Sequence, residues 1–196
     1  NNILGALGAP VPKYGHVPMI LGPDGQKLSK RHGAASVMEY RDLGFLPEAV
    51  LNYLVRLGWS HGDQEIFSLD EMIDLFDLGG CNKAPSAINP SKLIWLNKHY
   101  LKTLDPAHVA RHLSWHMGQL GIDPIDGPHL TDVVKAFAER SDTLKDMAQA
   151  AIFLYREFED YDGKAADKNL TTAAVGPLRR LREALGALVE WRAGPI

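Results

Sequence analysis

The chain has 196 residues, 45% of them hydrophobic and 23% charged, which is enough apolar mass for one sizeable core or two small ones in a globular protein of ordinary charge. A formal net charge of −3 excludes nucleic-acid binding through bulk charge, so any RNA contact has to come from local basic patches. One cysteine, Cys81, rules out an intrachain disulfide and a cysteine-built zinc site, and no apolar run approaches the roughly 20 residues of a membrane-spanning helix, so a cytoplasmic protein with no membrane partner is expected.

Ile3, Leu4 and Leu7 mark the end of a helix, stopped by Gly8 and Pro10. Residues 16–21, His-Val-Pro-Met-Ile-Leu, read as a strand. Gly22-Pro23-Asp24-Gly25 is a tight turn, because proline presets φ and glycine accepts a positive one. Residues 26–29 then leave as the second arm of a short β-hairpin that delivers residues 27–31 at its exit.

Beyond Gly33 the pattern turns helical. Ser36 caps a short helix ending at Gly44. Pro47 starts a helix with Val50, Leu51, Leu54, Val55 and Leu57 on its apolar face. Ser68-Leu69-Asp70-Glu71 is a capping box opening a helix lined by Leu69, Met72, Ile73 and Phe76. Asn89-Pro90 and Asp105-Pro106 repeat one cap-plus-proline signal, followed by Leu93, Ile94, Leu96 and Leu101, then by Val109, Leu113, Met117 and Leu120. Leu130, Val133, Val134 and Phe137 define the next helix. Thr143 caps one carrying Leu144, Met147, Ala151, Leu154 and Phe158. Residues 160–169 read as a polar loop, and Pro177 opens a last helix with Leu178, Leu181, Leu185 and Leu188. The expected class is mainly α, with a division near residues 100–105.

The segment with the most chemistry is Lys27-Leu28-Ser29-Lys30-Arg31-His32-Gly33. Two ammonium groups, a guanidinium and the Ser29 hydroxyl, on a loop beyond a tight turn, suit a polyphosphate, and around a leaving pyrophosphate they stabilise charge as it develops. From composition alone an exposed basic loop, where lysines normally sit, is the favoured explanation of these residues. The spacing is not that of a Walker A loop.

Lys27-Leu28-Ser29-Lys30-Arg31 resembles the Lys-Met-Ser-Lys-Ser signature of class I aminoacyl-tRNA synthetases, with Leu28 for Met and Arg31 for the last Ser. The surroundings narrow the resemblance. His16-Val-Pro-Met-Ile precedes the motif, and His32-Gly-Ala-Ala-Ser-Val-Met-Glu-Tyr-Arg-Asp follows it. Then come Gly44-Phe-Leu-Pro-Glu-Ala-Val-Leu-Asn-Tyr-Leu-Val-Arg-Leu-Gly-Trp-Ser60 and Lys92-Leu-Ile-Trp-Leu-Asn97. Together these are similar to glutamyl-tRNA synthetases of bacterial type. The resemblance implies that residues 1–33 close a catalytic domain, 34–100 form a stem-contact helical region, and 101–196 begin a helical anticodon-binding domain. It also implies that Lys30 is the catalytic lysine on the ATP phosphates, with Lys27, Ser29 and Arg31 in support. The substrates implied are ATP with Mg2+, glutamate and tRNA, in a monomeric enzyme. The family's His-Ile-Gly-His-type signature is absent, so a fragment inactive by itself is expected, and both chain ends read as cuts. Rival readings are a non-catalytic helical RNA-binding module and a glutaminyl-type relative.

Other candidates have plainer explanations. His108, His112 and His116 recur every fourth residue, but on a helix they fan over about 80° and border an apolar face, so boundary packing is expected rather than a metal. Trp95, Trp115, Tyr100 and Phe153 are expected in core or interface. Asp70, Glu71, Asp74 and Asp77 fit capping and the helix dipole. Glu157, Glu159, Asp160 and Asp162 form a solvated acidic stretch. Arg179, Arg180 and Arg182 sit beside the last leucine stripe as a solvated face or as RNA-backbone contacts.

Overall fold

A computed structural model describes residues 1–29, 36–157 and 160–187 of the chain. The chain divides into two compact units, Asn1–Tyr155 and Arg156–Ile196. Among the described residues the fold is mainly α, with ten helices and one two-stranded sheet.

Local chemistry sets most helix starts in the first unit. Helix α1 (Asn2–Ala6) gives way to Gly8 at φ +66°. Ser36 caps α2 (Val37–Asp42), its side chain accepting from the Met38 N–H. Pro47, Pro90 and Pro106 stand in the first turn of α3 (Pro47–Gly58), α5 (Pro90–Thr103) and α6 (Pro106–Gln119), where a missing N–H breaks no helical bond. Asn89 and Asp105 cap the latter two, accepting from Lys92 N and Ala107 N. In α4 (Leu69–Leu75) the capping box is complete: Ser68 Oγ accepts from Glu71 N at 3.1 Å, and Ser68 N donates to Glu71 Oε2 at 2.7 Å. The Ser68 backbone bond, first among several, holds the Glu71 carboxyl below its ordinary range. Thr143 caps α8 (Leu144–Ala151), which follows α7 (Leu130–Phe137).

One hydrophobic core is shared by α3, α5, α6, α7 and α8. Leu46, Tyr53, Leu96, Leu101, Val109, Leu113, Met117, Val133, Val134, Leu144 and Met147 are buried in it, each large aliphatic side chain stabilising the fold by roughly 1.5–3 kcal/mol. A smaller cluster of Trp59, Phe67 and Met72 closes the end of α3. Asn97 ties the main core together: its Oδ1 accepts from Leu46 N at 2.8 Å and its Nδ2 donates to Asp142 O at 2.7 Å. Asn52 and Tyr100 do the same one layer away. Asn52 Oδ1 accepts from Phe67 N and from the Tyr100 hydroxyl, and Asn52 Nδ2 donates to Glu65 O. Burial, above all, pushes the Tyr100 phenol up to about 12, so it stays a donor.

Gly44 explains the tight passage from α2 to α3. Its φ is +91°, its carbonyl accepts from Leu144 N at 2.8 Å, and a Cβ there would fall 2.5 Å from Lys145 N. Only glycine fits both the conformation and the approach.

Several expectations need correction. The strand expected over 16–21 shrinks to β1 (Ile20–Leu21), and its sheet partner is β2 (Ser86–Ala87), paired in parallel. Two-residue strands carry no readable alternation. On α3 the buried positions are Ala49, Val50, Asn52, Tyr53 and Leu57, whereas Leu51 and Leu54 are exposed; hydrogen-bonded Asn52 takes an inner position that periodicity gives to leucine. On α4 only Met72 is buried, and Leu69, Ile73 and Phe76 are exposed. Helix α8 stops at Ala151 and passes into a 3-10 turn over Ile152–Leu154, and Phe158 lies outside the described residues.

The second unit holds α9 (Gly163–Asn169) and α10 (Thr172–Gly186). The first occupies the stretch expected as loop, its N-terminus capped by Asp162 accepting from Ala165 N at 2.7 Å. The second starts five residues before Pro177, which lies inside it. The alanines ahead of that proline favour helix strongly enough to extend it backward, at the loss of one i→i−4 bond. Leu188 lies outside the described residues.

Candidate functional site

The turn at residues 22–26 is a three-residue hairpin loop. Gly22 N donates to Gln26 O at 2.7 Å, Gly25 N to Gly22 O at 3.0 Å, and Gly25 has a φ of +74°, the left-handed closing residue that such loops require. Asp24 Oδ1 accepts from Gln26 N at 3.0 Å and stiffens the bend. Leu28 N donates back to Ile20 O at 2.9 Å, and Lys27 faces Leu21 across an antiparallel bridge. Lys27 and Ser29 therefore stand exposed at the hairpin exit. Lys30 and Arg31, with His32 and Gly33, lie outside the described residues.

The hairpin is seated on the helical body from its first arm. Ser86 N donates to Met19 O at 3.0 Å and Ile88 N to Leu21 O at 2.8 Å. Asn89 N, one residue on, donates to the Tyr53 hydroxyl at 2.6 Å, linking β2 to both α3 and α5. The Pro18 ring packs against Gly58, where an added Cβ would come within 3.3 Å of it. The upstream flank of the Lys-Leu-Ser-Lys-Arg segment is thus tied through β2 to α3 and α5, which share one core. On the far side of the segment Ser36 caps α2.

A groove of about 610 Å³ lies between α2, α3 and α6. The leucines missing from the α3 core face, Leu51 and Leu54, line it with Val37 and Met38. Arg41 crosses one side with its guanidinium 4.4 Å over the Trp115 ring.

The three histidines of α6 have separate surroundings. His108 Nε2 lies 2.7 Å from Glu48 Oε1, and Arg111 Nη2 lies 2.8 Å from His108 Nδ1. Because a guanidinium can only donate, the imidazole accepts there and donates to Glu48. His112 meets the His108 ring edge-on at 5.0 Å. His116 is buried, and burial first, then the Lys145 charge, lowers its pKa to about 4. Among the described residues no group of three or more His, Cys, Asp and Glu is placed to hold a metal ion. A neutral His116 makes a pH prediction. The unfolded chain takes up its proton near the ordinary value of about 6.5, so the stability present above that pH is lost as pH falls toward 4. The loss between pH 7 and pH 5 is expected to be about 2 kcal/mol, read as a falling melting temperature, and His116→Gln should flatten that part of the profile. An unchanged profile in the variant would contradict a neutral buried imidazole.

Of the other candidates, Tyr100 is buried, Trp115 is half-buried, and Trp95 and Phe153 are exposed at 45% and 62%. Asp70 and Glu71 lie in the first turn of α4. On α10, Arg179, Arg180 and Arg182 are exposed. At about 100° per residue they fan over roughly 160°, away from the narrower stripe of Leu178, Leu181 and Leu185. Arg56, Glu65 and Lys92 escaped the sequence reading although two of them sit inside the recognised segments. Their meeting depends on α3, α5 and the intervening loop coming together, and no local pattern announces it.

Residues 1–95 match the family model described as tRNA synthetases class I (E and Q), catalytic domain, and residues 107–196 match the model described as anticodon binding domain. Among solved structures, the chain is similar to a glutamate tRNA ligase from Elizabethkingia meningosepticum, in complex with its amino acid, with TM-score 0.74 and 28% identity over 96% of this chain and 41% of that one. It is similar also to the glutamate-tRNA synthetase of Elizabethkingia anophelis, with TM-score 0.69 and 28% identity over 95% of this chain and 40% of that one. The chain spans about two fifths of the length of these relatives.

Proposed function

This chain belongs to the class I tRNA synthetases of the glutamate and glutamine type, and we propose that it is the part of a glutamate–tRNA ligase that supplies the ATP-phosphate loop and tRNA-contacting helices. The observation that carries this is the seating of the Lys27-Leu28-Ser29 arm. The basic Lys27-Leu28-Ser29 arm leaves a hairpin that is hydrogen-bonded through β2 to α3 and α5, inside a chain alike over 96% of its length to a glutamate tRNA ligase.

The reaction has two steps. A carboxylate oxygen of glutamate attacks the α-phosphorus of ATP, delivered with Mg2+. The bond to the β-phosphate breaks, and pyrophosphate leaves with the electron pair. A hydroxyl of the terminal ribose of tRNA then attacks the acyl carbon and AMP departs. Lys30 is the residue on the phosphates, with Lys27, Ser29 and Arg31 adding donors around the leaving group. Residues 1–33 close the catalytic domain, 34–100 contact the tRNA stem, and 101–196 begin the anticodon-binding part, where Arg179, Arg180 and Arg182 contact RNA backbone. The enzyme so proposed works in the cytoplasm as a monomer. Among the described residues no helix is long and apolar enough to cross a membrane.

Aminoacylation by the longer protein containing this chain is the test. Glutamate should be joined to tRNA(Glu) in an ATP-dependent reaction, while the 196-residue chain by itself should catalyse no ATP–pyrophosphate exchange. Charging with glutamine in place of glutamate would move the assignment to the glutaminyl relative, and no charging at all would refute it.

A further inference from the structure

Beside the hairpin, a pocket of about 190 Å³ is lined among the described residues by Arg56 and Lys92, with Glu65, Tyr53, Ala87 and Asn89. Arg56 Nη2 lies 3.6 Å from Glu65 Oε1, and Lys92 Nζ pairs with Glu65 Oε2. Two cations share one carboxylate, so one positive charge is left over. Arg56 Nη1 is shielded from solvent and has no hydrogen-bond partner among the described residues. Partial burial first, and the Arg56 charge second, hold the Lys92 ammonium below its ordinary value. The Trp95 ring, 3.9 Å beneath that ammonium, helps to fix its position. A singly charged anion with several acceptor oxygens would neutralise the charge that the Glu65 carboxylate leaves unmatched on the pair.

Position narrows the anion's source. Ala87 pairs with Leu21, and Leu21 bridges to Lys27. The pocket wall and the Lys27 backbone are therefore roughly 10 Å apart, two strand spacings. We propose that the pocket takes one backbone phosphodiester of the RNA whose end is brought to the hairpin, and that Glu65 occupies the cations until the RNA arrives. This rests on the RNA substrate proposed above. A nucleotide polyphosphate offers the same oxygens, but it carries more charge than the pair can match.

The experiment is binding of a tRNA(Glu) transcript to the 196-residue chain across a salt series, with Lys92→Gln and Glu65→Gln alongside and thermal melts confirming that both variants fold. Lys92→Gln should weaken binding about five- to tenfold and reduce the slope of log affinity against log salt by about 0.7–0.9, the loss of one phosphate contact. Glu65→Gln removes the internal competitor and should tighten binding several-fold, a gain that a merely structural ion pair would not produce. Unaltered strength and salt slope in both variants would overturn the site. Titration with inorganic pyrophosphate forms the second arm. If pyrophosphate binds the wild type and not Lys92→Gln while the RNA slope is unchanged, the pocket holds a small polyanion and the phosphodiester assignment fails. If the wild type binds tRNA but neither variant changes it, only this site falls; a wild type that binds no tRNA at low salt removes the RNA reading as well.

Discussion

Lys30→Ala in the full-length enzyme is expected to slow glutamyl-adenylate formation about a hundredfold or more, while tRNA affinity changes little. When the bond between the α- and β-phosphates breaks, negative charge grows on the departing pyrophosphate. An ammonium held against those oxygens in a water-poor site interacts more strongly with the transition state than with bound ATP, and only that difference accelerates the step. A hundredfold corresponds to about 2.7 kcal/mol, which is what one preorganised charge contact is worth. The split between rate and affinity matters because a lysine that merely coats a basic surface would change tRNA binding and its salt dependence instead. ATP–pyrophosphate exchange with tRNA present is the measurement. Exchange at the wild-type rate in the variant would remove Lys30 from the chemistry. Lys27→Ala should act more weakly, since Lys27 is held at the hairpin exit by the bridge to Leu21.

Asn97→Ala is expected to destabilise the first unit by about 3 kcal/mol, lowering its melting temperature by roughly 6–12 °C. Asn97 is fully buried and joins three segments: the Leu46 N–H ahead of α3, α5 itself, and the Asp142 carbonyl ahead of α8. Alanine leaves the buried Leu46 N–H without an acceptor, and it opens space in a packed interior. The neighbouring residue supplies the control. Lys98 reaches the same loop through a surface ion pair with Asp142 at 2.7 Å, its side chain 40% exposed. Removing an exposed pair of this kind costs at most about 1 kcal/mol. Equal melting shifts for Asn97→Ala and Lys98→Ala would contradict the account of Asn97 as the junction.

Features decided within a few neighbouring residues were legible before any coordinates. The Pro23–Gly25 bend, the caps at Ser36, Ser68, Asn89, Asp105 and Thr143, and the helix-opening prolines each express chemistry between groups one to four positions apart. What escaped depends on partners far along the chain. Asn52 and Asn97 look like surface residues until Phe67, Tyr100, Leu46 and Asp142 arrive to satisfy them. Once Asn52 turns inward, Leu51 and Leu54 are left to line the groove. The strand at Ser86–Ala87 is too short to show a pattern. The Asp162 cap went unread because a glycine and a polar run follow it. At the candidate site, composition identified a basic loop, but the parallel pairing that seats its hairpin and the Arg56–Glu65–Lys92 cluster belong to tertiary structure.

The parallel pairing of β1 with β2 is two residues long and joins segments separated by α2, α3 and α4. Such a seam closes late, after the distant helices have found one another, and it reopens at far less cost than the packed interior. Lys27, bridged to Leu21, therefore rides on a joint that opens more readily than the packed interior. Gentle warming is expected to release the Lys27 arm while the helices beneath still stand.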